Sequence, residues 1–170
     1  MEDDKQIEKV KQAVANLSNL KLPLDTDYLI VECDGCEEGW WAILKAKPNK
    51  YSSKTEEQIC RYSNVQCREK GLTSSIDQEL LAVNYALDSF RLFLLNKKEI
   101  LVRTDCEAIV KFFNNRNSNW VSQRRWLSFK DRILTFSYKV MFEHIKRKVN
   151  SLADSLSRCI FYEIVTKKPP

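Results

Sequence analysis

Glycine and proline are scarce in this 170-residue chain, at 3 and 4 residues. That excludes a collagen-like or low-complexity chain. Histidine occurs once, as His144, so no cluster of histidines is available to a metal. No apolar run reaches the roughly 18 residues that a membrane span needs. The start, Met-Glu-Asp-Asp, has the wrong charge for a secretion signal. A large net charge is missing too, since 28 Lys and Arg stand against 23 Asp and Glu, a balance of +5. What is present suits a packed core: 44% hydrophobic residues, with 8 Phe, 6 Tyr and 4 Trp, in one domain's length of chain.

The small net charge hides an asymmetry. Residues 1–96 hold 12 basic and 16 acidic groups, a net −4, and residues 97–170 hold 16 and 7, a net +9. A chain polarised in this way points to a polyanionic partner or to a solvated basic face. The six cysteines, Cys33, Cys36, Cys60, Cys67, Cys106 and Cys159, have no secretory context that would favour disulfides. Cys33-x-x-Cys36 is not matched by a second knuckle, because Cys60 and Cys67 are too far apart in sequence. Reduced thiols are expected, several of them buried as small hydrophobes, with no zinc.

Hydrophobic spacing organises the chain. Ile7, Val10, Val14 and Leu17 suggest a helix over residues 1–20, and Pro23 makes Lys21-Leu-Pro-Leu24 an extended connector. Strands are expected from Tyr28 to Asp34 and from Gly39 to Lys47, joined as a hairpin, with a third over Gln58–Ser63. Asn64 suits a turn with positive φ. A long helix follows, with Ser75 and Gln78 at capping-box spacing and a stripe of Ile76, Leu80, Val83, Leu87, Phe90 and Leu94. Ile100–Asp105 reads as a strand, followed by a helix that turns Ile109 and either Phe112 or Phe113 inward. A further helix carries Trp126, Phe129, Ile133 and Phe136, and Tyr138–His144 reads as the fifth strand. Asn150 caps a final helix, and residues 161–170 read as a tail. The order β-β-β-α-β-α-α-β-α predicts an α/β fold, a hairpin-led mixed sheet with helices packed on it.

Acidic residues occupy positions that folding alone would not choose. Asp34 ends the apolar run Leu29-Ile30-Val31, and Asp105 ends Ile100-Leu101-Val102. Strand C-termini are where open α/β sheets place ligands. Glu79 lies at the margin of the long helix's buried stripe, between Ile76 and Val83. Asp154 lies about one turn into the final helix, where the helix dipole favours a carboxylate; a simple surface or capping role serves it equally. Carboxylates gathered at one place repel each other unless a cation neutralises them. Hard oxygen ligands suit Mg²⁺ or Mn²⁺.

These blocks resemble the ribonuclease H family, in particular the ribonuclease H domain of plant pararetrovirus (Caulimoviridae) reverse transcriptases of the badnavirus and tungrovirus kind. The matching stretches are Glu32-Cys-Asp-Gly-Cys36 with Gly39-Trp40, Ser75-Ile-Asp-Gln-Glu79 with Ala82-Val83, and Val102-Arg-Thr-Asp-Cys106 with Ala108-Ile109-Val110. Arg125-Trp126, Phe142-Glu-His-Ile145 and Asn150-Ser-Leu-Ala-Asp-Ser-Leu-Ser-Arg158 complete the series in unbroken order. The resemblance implies a ribonuclease H-like fold with a five-stranded mixed sheet, its first three strands antiparallel and helices on both faces. It implies a domain over residues 25–160, preceded by a helix and connector (1–24) from a polymerase side and followed by a tail (161–170). It implies that Asp34, Glu79, Asp105 and Asp154 hold two Mg²⁺ ions, with Mn²⁺ as a possible substitute. The implied reaction is hydrolysis of the RNA strand of an RNA/DNA hybrid, leaving 5′-phosphate and 3′-hydroxyl ends. The implied partners are that hybrid and a covalently linked polymerase domain, in a viral protein of the host cytoplasm or the particle.

His144 stands ten residues before Asp154, the spacing at which family members carry a histidine that assists product release. Packing beside Phe142 at the strand end is the alternative. Gly35, Cys36, Arg124, Arg125, Lys146, Arg147 and Asn150 are the candidate substrate contacts. Two positions depart from the family pattern: Trp41 stands where relatives usually have Gly, and Lys146-Arg147 stand where a Gly is usual. The competing readings are an inactive ribonuclease H-like structural module and a DNA-acting nuclease of the same superfold.

Overall fold

Along Leu29–Asp34, side chains alternate between the two faces of a strand, and this sorts the residues by chemistry. Leu29, Val31 and Cys33 enter the main core, while Ile30, Glu32 and Asp34 take the opposite face. The computed structural model describes residues 19–36, 39–66, 74–114 and 124–146, the side chains of Gln66, Arg124 and Arg125 excepted. The strand around Asp34, β1 (Tyr28–Cys36), pairs antiparallel with β2 (Gly39–Lys47) from Tyr28↔Lys47 to Cys36↔Gly39. The ladder thus carries β1 two residues beyond Asp34. On the other side of β2 lies β3 (Gln58–Gln66), also antiparallel. A register shift between Leu44 and Lys45 leaves Cys60 as the extra residue on β3.

Asn64 is not at a turn. It lies inside β3 opposite Trp41, and no described residue has positive φ. Pairing along the whole length of β2, out to Gly39↔Gln66, outweighs the local turn preference of one asparagine.

The first long helix, α1 (Ser75–Ser89), is capped one residue earlier than its spacing suggests. Ser74, in extended conformation, accepts from the Asp77 amide at 3.3 Å, and the Asp77 carboxylate accepts from the Ser74 amide at 3.2 Å. The shorter Asp side chain closes the box that Ser75 and Gln78 only imitate. The apolar stripe does continue to Leu94, but across a break. Phe90 leaves helical geometry (φ −98°, ψ 7°) with its ring fully buried, and the chain resumes as α2 (Arg91–Leu94).

β4 (Glu99–Thr104) then pairs parallel with β1, and β5 (Lys139–His144) parallel with β4, giving the order β3-β2-β1-β4-β5. Between β4 and β5 run α3 (Glu107–Asn114) and α4 (Arg124–Leu134). Both Phe112 and Phe113 turn inward. Phe113 stacks on Phe142 at 4.4 Å between centroids, and Phe112 meets Trp126 at 4.7 Å. Phe136 falls past the end of α4 and stacks on Tyr138.

All these helices contribute to one core on one face of the sheet. The segment read as a final helix, from Asn150, lies outside the described residues, as do residues 1–18. The connector is extended as expected: the Lys21 amide donates to the Ile59 carbonyl at 2.9 Å. Lys97 Nζ donates to the carbonyls of Leu24, Asp25 and Asp27 at 2.8–2.9 Å, clasping the entry to β1. No helix among the described residues is long and apolar enough to cross a membrane.

The opposite face carries an ionic network. Arg103 is 3% exposed. Its guanidinium donates to Glu32 at 2.9 Å, to both oxygens of Glu57 at 2.8 Å and to Glu143 at 2.5 Å. Lys45 joins Glu32 at 2.6 Å, and Lys54 lies 3.9 Å from Glu143. Burial works against the charged guanidinium, but the hydrogen bonds it donates to Glu57, Glu143 and Glu32 outweigh it and raise its pKa. Three cations and three carboxylates therefore balance across β1, β2, β4, β5 and the turn before β3.

Candidate active site

Strand register brings two acids together. Glu32 of β1 lies beside Arg103 of β4, and their ion pair locks the parallel register at that rung. Two residues further along each strand come Asp34 and Asp105, on the same face by the pleat. Asp105 sits just past the end of β4. A slip of one residue in either strand would turn its acid into the helix-covered core and away from the other, so the Glu32–Arg103 pair also protects the site.

Glu79 reaches the site from the other face, around the end of β1. Its approach depends on Gly35. A Cβ at Gly35 would stand 2.4 Å from the Gln78 carbonyl oxygen and 3.1 Å from Ala82 Cβ. Only glycine lets the first turn of α1 rest on the strand so closely. The Gly35 amide hydrogen-bonds the Glu79 carboxylate, and Thr104 Oγ1 lies 3.4 Å from Glu79 Oε2.

Asp34, Glu79 and Asp105 are each half-buried, and each offers one carboxylate oxygen within 4.8 Å of the others. That proximity shows in the protonation of Glu79. Burial, then the charge and hydrogen bond of Asp34, then the charge of Asp105, push its carboxyl up to about 9 against the Gly35 hydrogen bond. The same surroundings hold Cys33, fully buried beneath them, well above the ordinary thiol range: burial first, then Glu79 and Asp34. The acids thus form a cluster of hard oxygen donors, a set suited to Mg²⁺ or Mn²⁺.

His144 ends β5 opposite Thr104, exposed, with Nε2 3.1 Å from the Asp105 carbonyl oxygen. It therefore borders the acid cluster. Cys36 is exposed at the end of β1, and Lys146 is exposed two residues beyond His144. Arg124 and Arg125 open α4. Asp154, Arg147 and Asn150 lie outside the described residues.

Two neighbours of the cluster carry more than their sequence reading assigns them. Trp41 needs space on one face of the hairpin, and it finds that space over Asp34: its Nε1 donates to Asp34 Oδ2 at 3.2 Å. Thr104, fully buried, accepts from the Cys106 amide at 3.0 Å through Oγ1 and so shapes the turn that carries Asp105. The signal for Trp41 is its register: a two-residue connection after Cys36 sets it directly across from Asp34.

A five-stranded mixed sheet of this order, with three acids converging where β1, β4 and α1 meet, defines a ribonuclease H-like domain. The sequence model of the family described as the RNase H-like domain found in reverse transcriptase matches residues 25–131, and the chain belongs to that family. It is 42% identical over 156 residues to Polyprotein P3 of Commelina yellow mottle virus, a match that takes in 92% of this chain and 8% of the polyprotein. The chain thus spans under a tenth of that relative's length. Among solved structures, the prototype foamy virus protease-reverse transcriptase superposes with a TM-score of 0.58 at 18% identity, over 85% of this chain and 18% of that one. LC11-RNase H1, solved in complex with an RNA/DNA hybrid, superposes with a TM-score of 0.53 at 18% identity, over 75% and 92%. At these identities the two structures establish the shared fold.

Proposed function

We propose that this domain hydrolyses the RNA strand of RNA/DNA hybrids with two Mg²⁺ ions, as the ribonuclease H part of a reverse transcriptase polyprotein. The observation that carries the reading is the meeting of Asp34, Glu79 and Asp105 within 4.8 Å. Burial and the two neighbouring carboxylates raise the proton affinity of Glu79, and a divalent ion bound among the three oxygens would relieve that repulsion.

In this reading Asp34, Glu79 and Asp105 hold the metal ions, and Asp154 completes the set. The bound ions would supply an activated water and stabilise the leaving 3′ oxygen. The chain's own residues fix the ligands. The β1–β4 register sets Asp34 and Asp105, and Gly35 and Thr104 set Glu79. No protein nucleophile is called for. His144, beside the Asp105 carbonyl, is placed to meet product at the rim. Lys146, with Arg124, Arg125, Arg147 and Asn150, would track the phosphates, and the backbone by Cys36 would read 2′-hydroxyls. An inactive structural module would have no use for converging acids, and the hybrid carried by LC11-RNase H1 supports the substrate class.

Parallel digests of labelled RNA/DNA hybrid, double-stranded RNA and double-stranded DNA test the substrate class. Cleavage confined to the RNA strand of the hybrid is expected. Cleavage of double-stranded DNA at a comparable rate would assign a different member of the superfold.

A further inference from the structure

The Trp41–Asp34 contact goes beyond the acid set itself. In β2, Trp41 is 7% exposed and packs with Ile43 and Ile59 into a small apolar cluster of its own, on the face that carries Asp34. The register sets Asp34 and Trp41 side by side, and the indole Nε1 donates to Asp34 Oδ2 at 3.2 Å. An indole has one N–H and no acceptor. Its ring is held by apolar neighbours, so the donor has one direction.

The chemistry of that donor suits a cation site. A Lys or Arg in its place would neutralise Asp34 and compete with an incoming metal ion. An acceptor would repel the carboxylate. A neutral donor orients Asp34 and leaves its negative charge intact. A carboxylate has lone pairs to spare, so one bond to the indole fixes the plane of the group while oxygen remains for the cluster. Holding a ligand in place before the ion arrives reduces the ordering needed on binding. That is how partners behind metal ligands generally raise affinity.

We propose that Trp41 is a positioning residue for the metal ions, acting through Asp34 by way of its indole N–H. This rests on the reading of Asp34, Glu79 and Asp105 as metal ligands. Trp41→Phe keeps an aromatic ring in the apolar cluster and removes the donor. The full chain, without nucleic acid, is titrated with Mn²⁺ and followed by electron paramagnetic resonance. The variant should bind Mn²⁺ about tenfold more weakly than wild type. Equal Mn²⁺ affinity in a folded Trp41→Phe protein would overturn the proposal. A second measurement stands if the variant does not fold. In ¹⁵N-labelled wild type, the Trp41 indole N–H resonance should shift on Mg²⁺ addition, and a resonance unmoved at saturation would equally overturn it. The two readings fail differently. Wild type that binds no Mn²⁺ removes the metal site and the role of Trp41 with it. Wild type that binds Mn²⁺ no better than Trp41→Phe removes Trp41 alone.

Discussion

Glu79→Gln abolishes hybrid cleavage while making the metal-free protein more stable. The loss of activity should be about a thousandfold or more, ~4 kcal/mol of barrier, because the amide cannot serve as an anionic metal ligand. The gain in stability has a separate origin. In the folded chain Glu79 titrates near 9, through burial and the neighbouring Asp34 and Asp105, against an ordinary value of 4.5. Between those two values the folded state keeps a proton that the unfolded chain releases, so stability falls as pH rises through that window. Metal-free wild type should therefore lose stability from about pH 5 to pH 9, and Glu79→Gln should show a flatter profile. At pH 8 the variant should be more stable by about 1–3 kcal/mol. Mg²⁺ should raise the melting temperature of wild type more than that of the variant, since only wild type keeps all its ligands. Thermal melts across pH, with and without Mg²⁺, check each part. A variant less stable than metal-free wild type at pH 8 would show that Glu79 is not under charge strain.

Arg103→Met should be the most destabilising single change on the face of the sheet that carries Glu32 and Arg103. It leaves the carboxylates of Glu32 and Glu57, each with under a tenth of its side chain exposed, without their main partner. Breaking a buried ion pair from one side typically costs about 3–5 kcal/mol, since a charge remains buried and uncompensated. Urea denaturation measures this directly, and a second change, Glu57→Gln, should recover part of the loss. A cost below about 1 kcal/mol would mean that water screens the network. Because the Glu32–Arg103 rung lies two residues before Asp34 and Asp105, the variant should also need more Mg²⁺ for activity.

The acids were legible in the sequence because their spacing follows strand and helix periods. Asp34 and Asp105 each close an apolar run, and Glu79 lies at the edge of a helical stripe. The hairpin was legible for the same reason, with β2 running over Gly39–Lys47 as its composition suggests. Less legible were the features that depend on partners distant in sequence. Arg103 sits in an apolar strand, where local pattern gives no hint of three carboxylates from β1, β5 and the turn before β3. Asn64 follows the ladder of β2 rather than its own turn preference. The Ser74–Asp77 box is a shift of one residue and the break at Phe90 an interruption of one, both below what periodicity resolves. Trp41 shows both sides. Its bulk was evident from sequence, but its purpose depends on the atom it meets across the hairpin.

The most direct test of the account is cleavage of a labelled RNA/DNA hybrid by the full chain, with and without Mg²⁺, beside Asp34→Asn. The account predicts RNA-strand cleavage with 5′-phosphate and 3′-hydroxyl ends in Mg²⁺, none in chelator, and none by the variant at any Mg²⁺ concentration. RNA that stays intact at high enzyme concentration with Mg²⁺ or Mn²⁺ supplied would contradict it, as would cleavage that survives Asp34→Asn.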